Sequence, residues 1–174
     1  MEVINMTKKN TVYYLIKKRR LGKEEKGDYF LFENAEWIPD EKSEICDRLM
    51  GYDPNEPAGS PYGIGNWDIM DSIEDITKEE AVSKMNELTL EFLTAKWKKD
   101  FEGRKEKWIK NGWPAKLVST EFKLNGIRYK IFPQDIGLTD DCWDQGFMES
   151  VQGEIEKDLA KYGATDIYNH GFMD

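Results

Sequence analysis

Alternating apolar and polar positions near the start of the chain predict β-strands. The stretch TVYYLIKKRR (11–20) is rich in β-branched and aromatic residues, and DYFLFENAEWI (28–38) offers apolar side chains to both faces. The intervening LGKEEKG is polar and bounded by glycines, which is typical of a turn. The pattern therefore predicts a first hairpin over residues 11–38, which ends before Pro39.

A second hairpin is predicted over residues 116–132, in KLVSTEFKLNGIRYKIF. Apolar and polar residues alternate on both sides of Asn125-Gly126, and this dipeptide favours the positive φ angles of a type I′ turn. Near the C-terminus, ATDIYNHGF predicts either one more short strand or a docked tail.

Apolar residues that recur every three or four positions predict two long helices. The first spans about 78–111 and starts after a capping box in which Thr77 and Glu80 bond each other's backbone N–H. The second spans about 140–162, with Thr139 as its N-cap residue. Hairpins and helices together predict an α+β fold, in which a mainly antiparallel sheet carries both long helices on one face.

Between the first hairpin and the first long helix, the sequence predicts a short helix and then a long loop. DEKSEICDRLMGY places Ile45, Leu49 and Tyr52 on one helical face, with Gly51 close to the helix end. Three prolines and three glycines then exclude regular structure from about residue 53 to 66. Loops of this length in compact domains are often functional or mobile.

The stretch NWDIMDSIEDI, which follows the loop, is ambiguous between helix and strand. Its isoleucines have helical spacing, and a helix would bring Asp68, Asp71 and Asp75 together on one face. A strand is the alternative, because the segment is short and flanked by turns.

Length and composition favour a single folded domain over residues 1–174. Aromatic residues make up 13% of the chain, which argues against disorder, and the mean hydropathy of −0.73 requires a densely charged surface. No apolar run approaches the roughly 20 residues of a membrane-spanning helix, and the N-terminus lacks a signal-peptide core. We therefore expect a cytoplasmic protein in which Cys46 and Cys142 are reduced thiols.

Charge is arranged in blocks along the chain. Residues 1–27, 28–83, 84–131 and 132–174 carry net charges of +5, −12, +6 and −8, which together give −9. One interpretation is that oppositely charged blocks meet in the fold and neutralise each other. The other is that one acidic face remains exposed and attracts a basic partner.

No motif in the sequence predicts a cofactor, a metal site or a catalytic residue. His170 is the only histidine, the carboxylates do not follow calcium-loop spacing, and GSPYGIG lacks the strand and lysine of a phosphate loop. The segment 96–116 interleaves aromatic and basic residues, which suits single-stranded nucleic acid, but the same spacing is typical of a helix with its rings in the core. The acidic pI of about 4.8 argues against direct nucleic-acid binding.

The acidic stretch after the predicted short helix is the candidate site. We expect it to bind a basic protein surface, with carboxylates giving speed and selectivity and two aromatic residues giving contact energy. The candidate residues are Asp53, Glu56, Tyr62, Trp67, Asp68, Asp71, Glu74 and Asp75.

The sequence thus favours a small acidic binding or inhibitor protein over an enzyme. Its expected partner is a basic protein, for which a nucleic-acid-processing enzyme is one candidate, and its expected role resembles that of inhibitors from phages or mobile elements. One alternative is a carboxylate-based hydrolase or transferase that uses Mg²⁺. Another is a structural domain whose charge blocks pair between subunits, and the sequence leaves the oligomeric state open.

Overall fold

The fold is α+β, with two antiparallel sheets and four α-helices among the described residues. The computed structural model describes residues 11–55, 65–102, 104, 114–138 and 143–173. Contacts within the chain divide it into two compact units, residues 1–88 and 89–174. The predicted single domain stays a prediction, and each unit is described by itself.

The first unit contains a five-stranded sheet in the order β4-β3-β2-β1-β5, in which every neighbouring pair is antiparallel. Its strands are β1 (Val12–Ile16), β2 (Arg20–Glu25), β3 (Asp28–Glu33), β4 (Glu36–Pro39) and β5 (Ile73–Ile76). Its helices are α1 (Glu44–Leu49), α2 (Trp67–Met70) and the first part of α3 (Lys78–Glu102).

The predicted first hairpin is in fact a four-stranded meander. The stretch predicted as a turn forms most of β2, which is hydrogen-bonded to β1 on one side and β3 on the other. This double pairing overrides the polar composition of the strand. The chain reverses instead at Lys17 and Lys18, at Lys26-Gly27 and at Asn34-Ala35, all with positive φ.

Apolar side chains cover both faces of this sheet. On one face, Ile45 of α1 lies in a buried cluster with strand residues; the members are Tyr14, Ile16, Leu31, Ile45 and Ile73. On the other face, Ala81 of α3 packs with Leu21 and Phe32. The sheet is therefore a middle layer, and α1 is too short to cover its own face completely.

In the second unit, β6 (Pro114–Leu124) pairs antiparallel with three other strands. These are β7 (Ile127–Ile131), β8 (Trp143–Asp144) and β9 (Thr165–Met173). A 3-10 helix (Pro133–Ile136) and α4 (Gln145–Lys161) complete the unit with the rest of α3. Its core includes Trp97 and Phe101 of α3 and Phe147 of α4.

The second hairpin is confirmed, since β6 and β7 are joined by Asn125 and Gly126 with φ angles of 49° and 79°. The final strand is confirmed as β9. The two predicted hairpins, however, lie in separate sheets and not in one. The alternation of apolar residues locates strands but does not say which strands share hydrogen bonds.

Helix starts were predicted correctly in one case and wrongly in the other. At α3, the Thr77 N–H donates to Glu80 Oε2 (2.8 Å) and the Glu80 N–H donates to Thr77 Oγ1 (3.2 Å), which confirms the capping box. At α4, Asp144 accepts from the Phe147 N–H (3.2 Å), so the helix starts at Gln145 and not near residue 140. Thr139 and residues 105–111 lie outside the described residues.

Gly51 lies at the end of α1, as predicted, and is hydrogen-bonded to the segment that precedes α2. Its φ is +74°, its N–H donates to the Arg48 carbonyl (3.0 Å), and its own carbonyl accepts from the Asn66 N–H (3.1 Å). A Cβ at this position would lie 2.5 Å from the Asn66 backbone nitrogen. Only glycine fits here without moving backbone.

Replacing Gly51 with alanine should therefore destabilise the protein more than the same change at Gly126. Both residues have positive φ, which costs an L-residue about 1–2 kcal/mol. Only at Gly51 is the space also occupied, so we expect at least about 1 kcal/mol more there. Urea denaturation of the two variants measures the difference, and equal losses would show that the close approach of Asn66 is unimportant.

Candidate functional site

The edge of the first sheet carries most of the described candidate residues. α2 holds Trp67 and Asp68, Asp71 follows it as the C-cap residue, and β5 holds Glu74 and Asp75. The segment is thus a one-turn helix followed by a strand, and the single helix predicted from the isoleucine spacing is wrong. The strand alternative is confirmed for Ile73–Ile76.

Strand geometry separates two of the acidic residues. Neighbouring residues of a strand point to opposite faces of the sheet, so Glu74 and Asp75 cannot share a face. Asp75 lies opposite Tyr14 in the register and on the face of Ile73, which is the face that α1 covers. Glu74 therefore points to the face covered by α3.

We call Trp67, Asp68, Asp71 and Asp75 the acidic patch. The Trp67 side chain is 76% exposed, and the three carboxylates are exposed as well. Within the described part of the chain, none of these three carboxylates forms an ion pair with a lysine or arginine. Among the described residues, this segment thus combines an exposed indole with carboxylates that have no cationic partner.

Asp53 is buried, contrary to its predicted place on the binding surface. It is 5% exposed, and its Oδ2 accepts from Nη2 of Arg48 at 2.8 Å. The Asn55 backbone N–H donates to its other oxygen (2.9 Å), and chiefly this bond, with Arg48 adding to it, lowers the pKa of Asp53 below its ordinary value. Asp53 is therefore an ionised internal group, and the candidates Glu56 and Tyr62 lie outside the described residues.

A cleft of about 930 Å³ opens on the face of the first sheet that α1 leaves partly uncovered. Its apolar wall contains Leu31, Ile38, Pro39 and Tyr52. Its charged lining consists of the cations Lys17, Arg20, Lys42 and Arg48 and the carboxylates Glu33, Asp40, Glu41, Glu44, Asp47 and Asp53. The volume lies in the range of small-molecule sites, roughly 300–1,000 Å³.

Arg48 is the central residue of a network of alternating charges in this cleft. It is 6% exposed, and its guanidinium donates to Asp53 (2.8 Å), to Ser72 Oγ (3.0 Å) and to Glu44 (3.3 Å). Lys17 Nζ lies 3.9 Å from Asp53. Every donor nitrogen of Arg48 thus has a partner, as a buried cation requires.

Arg20 extends the network toward solvent. Its Nη1 lies 2.6 Å from both carboxylate oxygens of Glu44, and its Nη2 donates to Glu33 at 2.7 Å. Burial opposes the charge of Arg20, but the bonds to Glu44 and Glu33 outweigh it and raise its pKa. The network fixes α1 against the sheet and defines the wall of the cleft.

Sequence reasoning missed this network because it placed Leu49 and Tyr52 on the inward face of α1. Both are 37% exposed, whereas Ile45 and Arg48 point inward. The spacing of four between Glu44 and Arg48 was an available signal, since such pairs are neighbours on a helix. The partner Asp53 lies beyond the helix, where helical spacing gives no information.

In the second unit, opposite charge blocks do meet. Lys96 donates to Asp158 (2.6 Å), Arg104 pairs with Glu154, and Lys123 pairs with Asp166 (2.7 Å). The neutralisation interpretation therefore holds for these pairs, and it holds for Arg20 in the first unit. It does not hold for the acidic patch.

The aromatic residues of the basic segment that the structure describes belong to the core. Trp97 and Phe101 are fully buried, and the Trp97 Nε1–H donates to Asp158 (2.8 Å). Neither ring is available to stack on a base. Trp108 and Trp113, which were part of the same pattern, lie outside the described residues.

The described residues contain neither a metal-binding cluster nor a membrane-spanning helix. No group of three or more histidine, cysteine, aspartate or glutamate side chains in the described ranges is arranged to hold a metal ion. Similarly, none of the described helices is long and apolar enough to cross a membrane.

No protein-family model, curated protein or solved structure matches this chain. The acidic patch and the cleft are therefore the features of the chain that bear on its function.

Proposed function

We propose that the chain is a binding protein whose acidic patch docks onto a basic surface of another protein. The observation that carries this proposal is Trp67, which is 76% exposed and is followed along the chain by exposed carboxylates without described ion-pair partners. Exposing an indole is unfavourable in water, and tryptophan is enriched among residues that dominate binding energy. Negative charge around it accelerates encounters with a positive partner.

A basic groove that normally holds a nucleic-acid backbone is a surface of suitable charge. By occupying such a groove, the acidic patch would exclude the phosphates, so an inhibitor of a nucleic-acid-processing enzyme is the specific form of this function that we propose. The carboxylates would take the place of phosphate charges, and Trp67 would supply apolar contact.

Salt dependence and substitution test this function together. Immobilised protein is used to capture partners from cell extract, and association rates with the captured protein are then measured. Between about 0.1 M and 1 M salt the Debye length falls from about 10 Å to about 3 Å, so association should slow steeply. Trp67→Ala should weaken binding by about 30-fold, which corresponds to about 2 kcal/mol.

A charge-matched pair of triple variants locates the interaction. Asp68→Asn, Asp71→Asn and Asp75→Asn together should reduce the association rate about tenfold or more, with a smaller effect on dissociation. The control variant removes three exposed carboxylates elsewhere, by Glu87→Gln, Glu91→Gln and Glu149→Gln. If both triple variants slow association equally, overall charge and not the acidic patch attracts the partner.

A further inference from the structure

We propose that the cleft beside α1 binds an organic cation that carries an aliphatic stem, namely an alkylguanidinium or an alkylammonium. The proposal concerns a different part of the first unit from the acidic patch, and it stands whether or not the patch docks a protein. It rests on the charge balance of the cleft, on the pairing of its cations and on its apolar wall.

The lining of the cleft has more negative than positive charge. Six carboxylates face four cations, an excess of two negative charges. The three cations closest to the network already have carboxylate partners: Arg48 and Lys17 share Asp53, and Arg20 bonds Glu33 and Glu44. An anionic ligand would have to compete with these bonds, and Arg48 is nearly inaccessible to it.

Hydrogen-bond acceptors, in contrast, remain available. The side chains of Glu41 and Asp47 have no hydrogen-bond or ion-pair partner among the described residues. Glu33 bonds Arg20 through one carboxylate oxygen only. A carboxylate has about four lone-pair sites, so the cleft offers several positions to a ligand with many N–H donors.

The apolar wall selects the rest of the ligand. Ile38 and Tyr52 are each 37% exposed, and Pro39, which follows Ile38, also lines the cleft. An aliphatic stem can pack along these side chains, as the stems of lysine and arginine do on protein surfaces. The face of the Tyr52 ring is also attractive to a cation.

This chemistry has two sources, a free small molecule and an arginine or lysine side chain of another protein. Agmatine represents the free alkylguanidinium, spermidine the free alkylammonium, and a blocked tripeptide with one central arginine represents the side chain. Calorimetric titration of the full-length chain with each probe distinguishes the sources. Binding of agmatine or spermidine supports a free ligand, and binding of the peptide alone supports a side chain.

Two substitutions in the cleft are expected to change the affinity for the probe in opposite directions. Asp47→Asn should weaken binding of the probe by roughly tenfold or more, because it removes a charged acceptor. Lys42→Gln should strengthen binding, because it removes a competing cation from an exposed position. Glu87→Gln, which has the same charge change as Asp47→Asn but lies on α3 outside the cleft, should have little effect.

Trp67→Ala serves as a second control, since it should weaken partner docking about 30-fold without affecting binding of agmatine. The cleft proposal and the docking proposal can therefore fail separately. The cleft proposal is overturned if no cationic probe binds the folded wild-type protein with a Kd at or below roughly 1 mM. It is also overturned if inorganic phosphate binds instead and Asp47→Asn strengthens that binding.

Discussion

Replacing Arg48 with methionine is expected to destabilise the protein by about 3–5 kcal/mol. The substitution leaves Asp53 buried and charged without its closest cation, and it removes a bond to Glu44 and another to Ser72. Breaking a buried ion pair from one side is costly because the remaining charge is not compensated. Urea denaturation at neutral pH measures the loss.

The double variant tests whether this loss belongs to the pair. Asp53→Asn alone should also destabilise, but the Arg48→Met, Asp53→Asn double variant should lose clearly less than the two single losses added together. Additive losses, or a loss below about 1 kcal/mol for Arg48→Met, would show that the pair does not stabilise the cleft.

The loss of stability caused by Arg48→Met should be smaller in acid than at neutral pH. In the wild-type protein the pKa of Asp53 lies below its ordinary value of 3.8. Its stabilising contribution is therefore complete above that value and is lost as the pH falls through the lower, folded-state pKa. The difference between wild type and Arg48→Met should be largest near pH 7 and should shrink as the pH falls below about 4.

Trp97→Ala, in the second unit, is expected to lower the free energy of unfolding by about 3–5 kcal/mol. The side chain is 0% exposed, so its removal leaves a large cavity and takes the indole donor away from Asp158. Trp97→Phe retains most of the ring volume and should cost about 1–3 kcal/mol, mainly for the lost hydrogen bond. Denaturation midpoints at constant m-value give both numbers.

Trp67→Ala provides the matched control for this second prediction. It removes the same side chain from a position that is 76% exposed, and surface substitutions usually change stability by no more than about 0.5 kcal/mol. Similar losses of unfolding free energy for Trp97→Ala and Trp67→Ala would contradict the different burial of the two side chains. If Trp67→Ala leaves stability unchanged, any loss of partner binding results from the lost contact and not from unfolding.

The parts of the fold that sequence predicted well depend on local chemistry. The Thr77–Glu80 capping box and the Asn125-Gly126 turn each require only a few neighbouring residues, and both occur as predicted. The core positions of Trp97 and Phe101 follow from helical spacing, which is also local. Such features can be predicted because no distant partner has to be known.

The parts that sequence predicted poorly depend on partners far along the chain. β2 is polar, and it is a strand because β1 and β3 pair with both of its edges. Arg48 points inward because Asp53 and Ser72 receive its donors. A hydrophobicity pattern assigns a polar strand to a turn and an arginine to the surface, since it contains no information on these bonds.

The directions of the candidate side chains also depend on partners outside the acidic stretch, whereas their role in binding stays a prediction. A run of acidic residues identifies an acidic stretch but not the direction of each side chain. In the structure, Asp68, Asp71 and Asp75 are exposed, and Asp53 is buried. Glu74 points to the opposite face of the sheet from Asp75. The cleft was not predicted, because its lining combines residues of separate strands with residues that precede and follow α1 in the chain.

The proposed docking surface is tested most directly by backbone amide chemical-shift mapping. Labelled protein is titrated with the captured partner protein, at low and high salt. We predict that the largest shifts fall on residues 67–75 and on the Trp67 indole N–H, and that they disappear at high salt. Shifts confined to residues 89–174, or shifts that persist unchanged in Trp67→Ala, would contradict docking through the acidic patch.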